Sequence, residues 1–392
     1  MRIVFVVQRY GARIAGGAEQ HCRWLAESLS RAGHTVTVAT TCATDYVTWA
    51  NHFSPGVSSL NGVTVFRFPV RQCRDKDHFD ALSRHIDFFG GTHTDETENE
   101  WLAAQGPAVD DMYTWLVNNR DAFDVALVFT YLYETAAIAI AALKGFVPIA
   151  MHATAHDEPP IRLRTIKARL NQVDCFLCST PEEALILEEI AGVWSPRHVV
   201  GIGVSLPPAD NPTTVLSRYR IPFRRFALIL GRVDESKGVL QAIEHFEAIP
   251  EPNRLHLVVA GENVAGIASN QNVTVTGYIS DSERSSLLNI ASFLIQPSPY
   301  ESFSLALHEA WLSGCPTLSF SGCTPVAAQT HRANAGLLFY DQTSFADAFA
   351  QLSRDASLRS QLGRNGSDFV KTKFLPETVV RKIESILLSL TS

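Results

Sequence analysis

The chain reads as an α/β protein made of two Rossmann-like, doubly wound domains, and three observations predict it. Short apolar runs alternate with helix-period patterns through the first half, break at Leu206-Pro207-Pro208-Ala209-Asp210-Asn211-Pro212, and then start again. The runs are continuously apolar, as in parallel strands covered by helices on both faces. At 392 residues, each half is long enough to bury its own core.

In the first half, Ile3 to Val7 reads as a strand and Ala18 to Arg31 as a helix ended by Gly33. Strands follow at Thr35 to Thr40, Val63 to Phe68, Val125 to Phe129, Val147 to His152 and Cys175 to Ser179, with Val199-Val200 closing the series. An apolar helix is expected over Glu134 to Leu143. Residues 71–111, rich in Asp, Glu, His and aromatics, interrupt the alternation and read as a helical insertion or lid. After the proline-rich stretch, strands are expected at Phe226 to Leu230, Leu255 to Ala260, Val273 to Thr276, Phe293 to Ile295, Thr317 to Phe320 and near Leu337-Leu338. Helices fill Val239 to Phe246, Asp281 to Asn289 and Ser304 to Leu312, and continue from Ser344 onward. The expected division is 1–208, 209–375 and a final helical segment 376–392. Two such sheets in series place a ligand cleft at the C-terminal ends of their strands.

Composition is that of a globular enzyme, with 46% hydrophobic and 19% charged residues. A net charge of −7 argues against a nucleic-acid binder. The apolar start after Met1-Arg2 is too short for a span and lacks a leader pattern, so a cytoplasmic location is expected. Arg162, Arg164, Lys167 and Arg169 alternate with apolar residues; a solvated amphipathic helix face explains them better than a membrane contact. Seven cysteines are scattered, and Cys175-x-x-Cys178 lies in an apolar run with no second pair at zinc spacing, so buried reduced thiols are expected. His78, His85 and His93 match no metal-ligand spacing.

The chemistry concentrates in four segments. In Ser298-Pro299-Tyr300-Glu301-Ser302-Phe303-Ser304-Leu305-Ala306-Leu307-His308-Glu309, two prolines break the chain after a buried strand and a helical pattern begins near Phe303. Glu301 then sits at a helix N-terminus and Glu309 inside the helix. Unpaired N–H groups there suit a phosphate, and the carboxylates suit sugar or ribose hydroxyls. Gly231-Arg232-Val233-Asp234-Glu235-Ser236-Lys237-Gly238 follows the first strand of the second half. Its Arg232 can fork onto two phosphate oxygens, and Lys237 adds a point charge. Gly16-Gly17 stands between the first strand and first helix, without the G-x-G-x-x-G or Walker pattern that hydride transfer or ATP hydrolysis would need. His156, in Thr154-Ala155-His156-Asp157-Glu158, follows a strand end and points to hydroxyl recognition. Tyr278 and Ile279 end a further strand and are weaker candidates for a nucleobase.

Together these segments resemble the retaining GT-B glycosyltransferases of family four, whose E-x7-E pattern is matched by Glu301 and Glu309. The resemblance covers nearly the whole chain. It implies two Rossmann-like domains facing across a cleft, acceptor-binding in the first and donor-binding in the second, with the last helix crossing back onto the first. It implies hexosyl transfer from a nucleoside diphosphate sugar, with uridine preferred to guanosine. The acceptor would be a saccharide or lipid-linked saccharide, in bacterial cell-surface polysaccharide synthesis at the inner face of the membrane. Arg232 and Lys237 would bind the diphosphate, Glu301 the donor sugar and Glu309 the ribose. Gly16, Gly17 and Gly231 would approach the phosphates, and Phe303, Ser304 and Leu305 would offer backbone N–H groups. Tyr278 and Ile279 would lie by the base, and His156 by the donor sugar and acceptor. No metal is expected, since Arg and Lys take that role. The family's usual glycine after the phenylalanine is Ser304 here, tolerated if the position is helical, as expected. The alternatives are a GT-B-fold epimerase or phosphorylase, and a non-catalytic sugar-nucleotide-binding partner.

Overall fold

In a computed structural model, residues 1–14, 16–222, 225–250 and 254–391 are described. The chain divides into two compact units, Met1–Gly201 with Val379–Ser392, and Ile202–Thr378.

Unit 1 holds an eight-stranded sheet of β1 (Arg2–Val6), β2 (Thr35–Thr41), β3 (Gly56–Leu60), β4 (Val63–Phe68), β5 (Val125–Phe129), β6 (Ile149–His152), β7 (Cys175–Cys178) and β8 (Arg197–Val199). Its order is β3-β4-β2-β1-β5-β6-β7-β8, parallel except for β3 against β4. The direction of winding reverses between β1 and β5, the switch point where ligands bind in open α/β sheets. β1, β5, β6 and β7 are buried almost end to end, which is why each reads as an uninterrupted apolar run. β3 was not anticipated. It is an exposed edge strand, Gly-Val-Ser-Ser-Leu, with no buried face to pattern it. Its sequence signal is the hairpin turn Asn61-Gly62, both at positive φ (49° and 85°).

The insertion forms three helices, Lys76–His85, Asp95–Gln105 and Asp110–Asn118. They pack through Trp101, Leu102, Met112 and Leu116 into the unit 1 core. With the helix Glu134–Leu143 they border a cavity of about 680 Å³ lined by Arg71, Ala104, Asp110, Glu134, Ile138 and Arg169, among others. The insertion histidines have local partners: His93 Nε2 is 2.9 Å from Glu98 Oε1, and His85 Nδ1 is 2.7 Å from the Ala81 carbonyl. Cys175 and Cys178 are buried free thiols; burial pushes Cys175 up to about 12 and Cys178 higher still. In the basic stretch, Arg162 pairs with Asp157 at 2.5 Å and Arg164 with Asp95 at 2.9 Å, while Ile161, Leu163, Ile166 and Leu170 are buried. Among the described residues no helix is long and apolar enough to cross a membrane.

Unit 2 holds β9 (Phe226–Leu230), β10 (His256–Ala260), β11 (Val273–Gly277), β12 (Phe293–Gln296), β13 (Thr317–Phe320) and β14 (Gly336–Phe339), all parallel, in the order β11-β10-β9-β12-β13-β14. Here the winding reverses between β9 and β12. The unit begins at Ile202, ahead of the proline-rich stretch expected to mark the boundary. The reason is packing: Ile202 and Val204 are buried with Phe303, Leu307 and Trp311, and the Val204 N–H bonds the Phe374 carbonyl at 2.7 Å. Residues from Val379 onward in the last helix, Pro376–Thr391, count with unit 1. There Val379, Ile383 and Leu387 are buried, and Glu384 Oε1 lies 2.8 Å from His34 Nε2.

Candidate functional site

The switch point of unit 2 gathers the charged motif residues of that half. The turn after β9 carries Arg232 and Lys237; the loop after β12 carries Glu301. Lys237 Nζ donates to Glu301 Oε1 at 2.7 Å, joining two motifs 64 residues apart. The turn is held from below. Val233 is fully buried, its N–H bonds the Glu262 carbonyl at 2.8 Å, and its own carbonyl accepts from Ala265 at 3.0 Å. Alternation about Val233 sends Arg232 and Asp234 outward together. Asp234 takes the Arg232 Nε–H on one oxygen, and on the other the Lys237 N–H at 3.0 Å and the Ser236 hydroxyl at 2.8 Å. Burial alone would push its carboxyl up; the hydrogen bonds from Ser236 and Arg232 hold it below the usual range. Gly238 closes the turn at φ 66°, where a Cβ would meet the Pro297 carbonyl oxygen at 2.5 Å, so a side chain there would push the two loops apart. Arg232 and Lys237 side chains remain 34% and 36% exposed. They are organised by acids yet open to a ligand.

Glu301 precedes the helix Leu305–Leu312, and its loop is tied down at several points. Gln329 Nε2 donates to the Phe303 carbonyl at 3.0 Å. The Phe303 ring stacks on His308, with centroids 3.9 Å apart and planes 5° from parallel. His308 Nδ1 lies 2.9 Å from the Ser304 carbonyl, and burial lowers its imidazole to about 4, so the ring is neutral and donates from Nδ1.

Ser304 is not helical, contrary to expectation. It is the N-cap residue at φ 66°, ψ 91°. A β-carbon at positive φ is strained, typically by about 1–2 kcal/mol. Its hydroxyl offsets part of that: Oγ accepts from Gln296 Nε2 at 2.6 Å and from the Leu307 N–H at 3.4 Å. A cap side chain and a buried amide partner explain how serine occupies a conformation that glycine would take freely. Leu305 is the first helical residue, so the expected backbone donors do lie at a helix start.

Glu309 is 8% exposed. Arg284 Nη2, from the helix Asp281–Ile290, donates to its Oε1 at 3.0 Å. Burial raises this carboxyl to about 7; Arg284 pulls it down and Asp281 pushes it up. Nothing local in the sequence announces Arg284, because the contact crosses two helices 25 residues apart. Tyr278 is 79% exposed just past β11, at the sheet edge that carries Arg232 and Glu301. The Ile279 side chain belongs to the buried cluster that includes Leu287 and Leu288. Gly231 begins the turn at φ 136°.

The unit 1 candidates share one sheet edge, Gly16-Gly17 after β1 and His156 after β6. Gly16 is dictated by space: at φ 140°, a Cβ would stand 2.2 Å from Glu19 Oε2. Gly17, the first residue of the helix Gly17–Arg31, faces open space. Beneath them lies a buried pair that sequence reading missed. Arg9 Nη2 meets Glu19 Oε1 at 2.5 Å, with both side chains 7% exposed, and Gln8 Nε2 donates to the same oxygen at 2.9 Å. His156 Nδ1 is 3.0 Å from the Thr154 carbonyl, and Nε2 is 3.7 Å from Glu158. Buried Glu183 pins this loop by accepting the Ala155 and Ser179 N–H groups at 2.9 and 2.6 Å. Desolvation raises the Glu183 carboxyl to about 6 against the pull of those bonds.

Residues 221–369 match the family model described as glycosyl transferases group 1. An uncharacterised glycosyltransferase of Methanocaldococcus jannaschii is 21% identical, covering 98% of this chain and 97% of that protein. Among solved structures, sucrose-phosphate synthase from Thermosynechococcus elongatus superposes with TM-score 0.72 at 17% identity, over 99% of this chain and 98% of the other. HepE from Anabaena, solved with UDP-glucose, gives TM-score 0.72 at 14% identity over 99% and 100%. Two parallel, doubly wound units of this kind define the GT-B fold. With the glycosyl transferases group 1 domain in its second unit, the chain is a nucleotide-sugar-dependent glycosyltransferase.

Proposed function

We propose that this glycosyltransferase is a retaining enzyme of family four that moves a hexosyl group from a nucleoside diphosphate sugar to a hydroxyl of a saccharide or lipid-linked saccharide. The observation that carries the reading is the Lys237–Glu301 ion pair at the β9/β12 switch point, which brings the basic turn after β9 and the first carboxylate of the E-x7-E pattern to one place.

The chemistry follows from the charges. As the bond from the anomeric carbon to the diphosphate oxygen breaks, negative charge grows on the leaving group. Arg232 and Lys237 neutralise it, and preorganised electrostatics of this kind is usually the largest catalytic term. Asp234 and Glu301 hold both cations in place before the donor arrives, so little reorganisation is needed. Glu301 then exchanges part of its bond to Lys237 for donor sugar hydroxyls. The acceptor hydroxyl attacks the face the diphosphate leaves, its proton passes to the leaving phosphate oxygen, and configuration is retained. Glu301 positions the sugar and forms no covalent bond, unlike a glycosidase nucleophile.

Glu309 takes the ribose, Tyr278 the base, and the N–H groups at Phe303 to Leu305 the phosphate and sugar. Uridine is the favoured base, supported by the binding of UDP-glucose in HepE. No metal is assigned, because two cations already serve the diphosphate. Unit 1 is assigned to the acceptor, with Gly16, Gly17 and His156 on its functional edge. The cavity beside the insertion supports that assignment. A role in bacterial cell-surface polysaccharide synthesis completes the reading. The pairing of Arg162 and Arg164 with acids gives no support to membrane contact through that stretch.

Proton NMR of the product from an α-linked donor such as UDP-glucose tests the mechanism. An α-anomer in the first-formed product is expected; a β-anomer would overturn retention.

A further inference from the structure

The two glutamates of the E-x7-E pattern are each met by a cation from another element. Lys237 meets Glu301, and Arg284 meets Glu309. Only the first cation is assigned a role above. Arg284 is fixed at both ends of its fork: Nη1 lies 3.0 Å from Asp281 Oδ1, one turn back on its own helix, and Nη2 lies 3.0 Å from Glu309 Oε1. Asp281 stands at the first position of that helix, so the guanidinium cannot swing away without losing a partner. Its occupation of Oε1 directs a ligand hydroxyl to Oε2.

We propose that Arg284 is a positioning residue for the donor nucleotide, one that keeps Glu309 anionic and aimed so that it can accept the ribose hydroxyls. This rests on the reading above that Glu309 holds the ribose. A carboxylate with so little access to water is a poor anion by itself, and a hydroxyl donates most strongly to the charged form. Two charged groups act on Glu309: Arg284, which favours the anion, and Asp281, which opposes it. The arginine thereby offsets both burial and its own helix partner. The fork geometry suits the task, since one terminal nitrogen of the guanidinium serves Asp281 and the other Glu309 at once, which a lysine ammonium does less well.

The test is UDP binding by titration calorimetry, from pH 6 to pH 8, for the whole chain and three variants of similar size. GDP is used if UDP gives no heat. The parent chain should bind more tightly as pH rises through about 7, where Glu309 ionises. Arg284→Gln removes the charge and should move that rise up by about one pH unit or more, which weakens binding about tenfold at pH 6 to 7. Arg284→Lys should restore most of the loss. Glu309→Gln should flatten the rise and reports whatever titration belongs to the nucleotide itself. In turnover, Arg284→Gln should raise KM for the donor with little change in kcat. If Arg284→Gln follows the parent at every pH while Glu309→Gln binds poorly, Arg284 has no such role and the ribose reading stands. If Glu309→Gln binds like the parent, or if neither nucleotide binds, the ribose reading falls and takes this inference with it.

Discussion

The two switch points carry the same device in opposite environments. In unit 1 the turn after β1 holds the Arg9–Glu19 pair, with each side chain 7% exposed and Gln8 sharing the same oxygen. In unit 2 the turn after β9 holds Arg232 and Lys237, a third exposed, against Asp234 and Glu301. Both turns need a glycine at positive φ because a neighbouring oxygen crowds it, Glu19 at Gly16 and Pro297 at Gly238. The lesson concerns burial. A cation sealed on its carboxylate can only shape the backbone above it, whereas one that keeps water can exchange water for a phosphate.

The sharpest way to break this comparison is to neutralise one member on each side. Lys237→Ala should lower kcat by about 10²–10³-fold, the usual consequence of losing one preorganised group that meets developing charge. The melting temperature should barely move, since a pair this exposed contributes about 0–1 kcal/mol. Arg9→Met should do the reverse. It strands a buried carboxylate, which typically costs about 3–5 kcal/mol, and activity should fall only with the folded fraction. Thermal unfolding beside initial rates separates the two; equal stability losses would erase the distinction.

The next effect is pH-dependent and also differs between the units. In unit 1, His21 and His152 are fully buried with ring centroids 4.5 Å apart, and neither His21 ring nitrogen has a hydrogen-bond partner. Burial lowers His21 to about 3 and His152 well below its usual value. The folded state binds fewer protons than the unfolded one, so their contribution is present above pH 6.5 and is lost as pH falls toward 3. The slope is about 1.4 kcal/mol per pH unit for each ring. In unit 2, Glu309 runs the other way. Its raised carboxyl favours folding below pH 4.5, and that contribution is lost as pH rises through about 7. Denaturant titrations from pH 4 to 8 should show His21→Phe flattening the acid side and Glu309→Gln the neutral side.

The smallest effect belongs to Ser304→Gly. Relief of the positive-φ strain and loss of a weak cap nearly cancel, while the Gln296 amide loses its partner. A stability change within about 1 kcal/mol is expected. A larger gain would mean that strain dominates at this position.

Most of the fold was legible because buried parallel strands must be apolar throughout, and the runs at β1, β5, β9 and β12 say so directly. β3 was not, because an edge strand exposed on both faces carries no burial pattern; only Asn61-Gly62 betrayed its hairpin. The residues proposed to meet the donor were visible as short motifs, and the structure brings Lys237 to Glu301. Their supports were invisible, because Arg284, Glu183 and the Arg9–Glu19 pair act through contacts that folding alone creates. Ser304 was misread for a related reason. The apolar pattern of the helix runs up to the cap, yet the conformation of the cap residue depends on Gln296 on the strand before it.

The proposed function requires that the part-exposed Arg232 and Lys237 of unit 2 meet a nucleoside diphosphate. Thermal unfolding against UDP, GDP and ADP, each with and without a chelator, on the parent chain and Lys237→Ala, tests that most directly. A ligand at 100 times its dissociation constant stabilises the folded state by about 2.7 kcal/mol. One diphosphate, UDP first, should stabilise the parent regardless of chelator and should lose most of its effect in Lys237→Ala. Undiminished stabilisation of that variant, or none of the parent by any of the three, would contradict it.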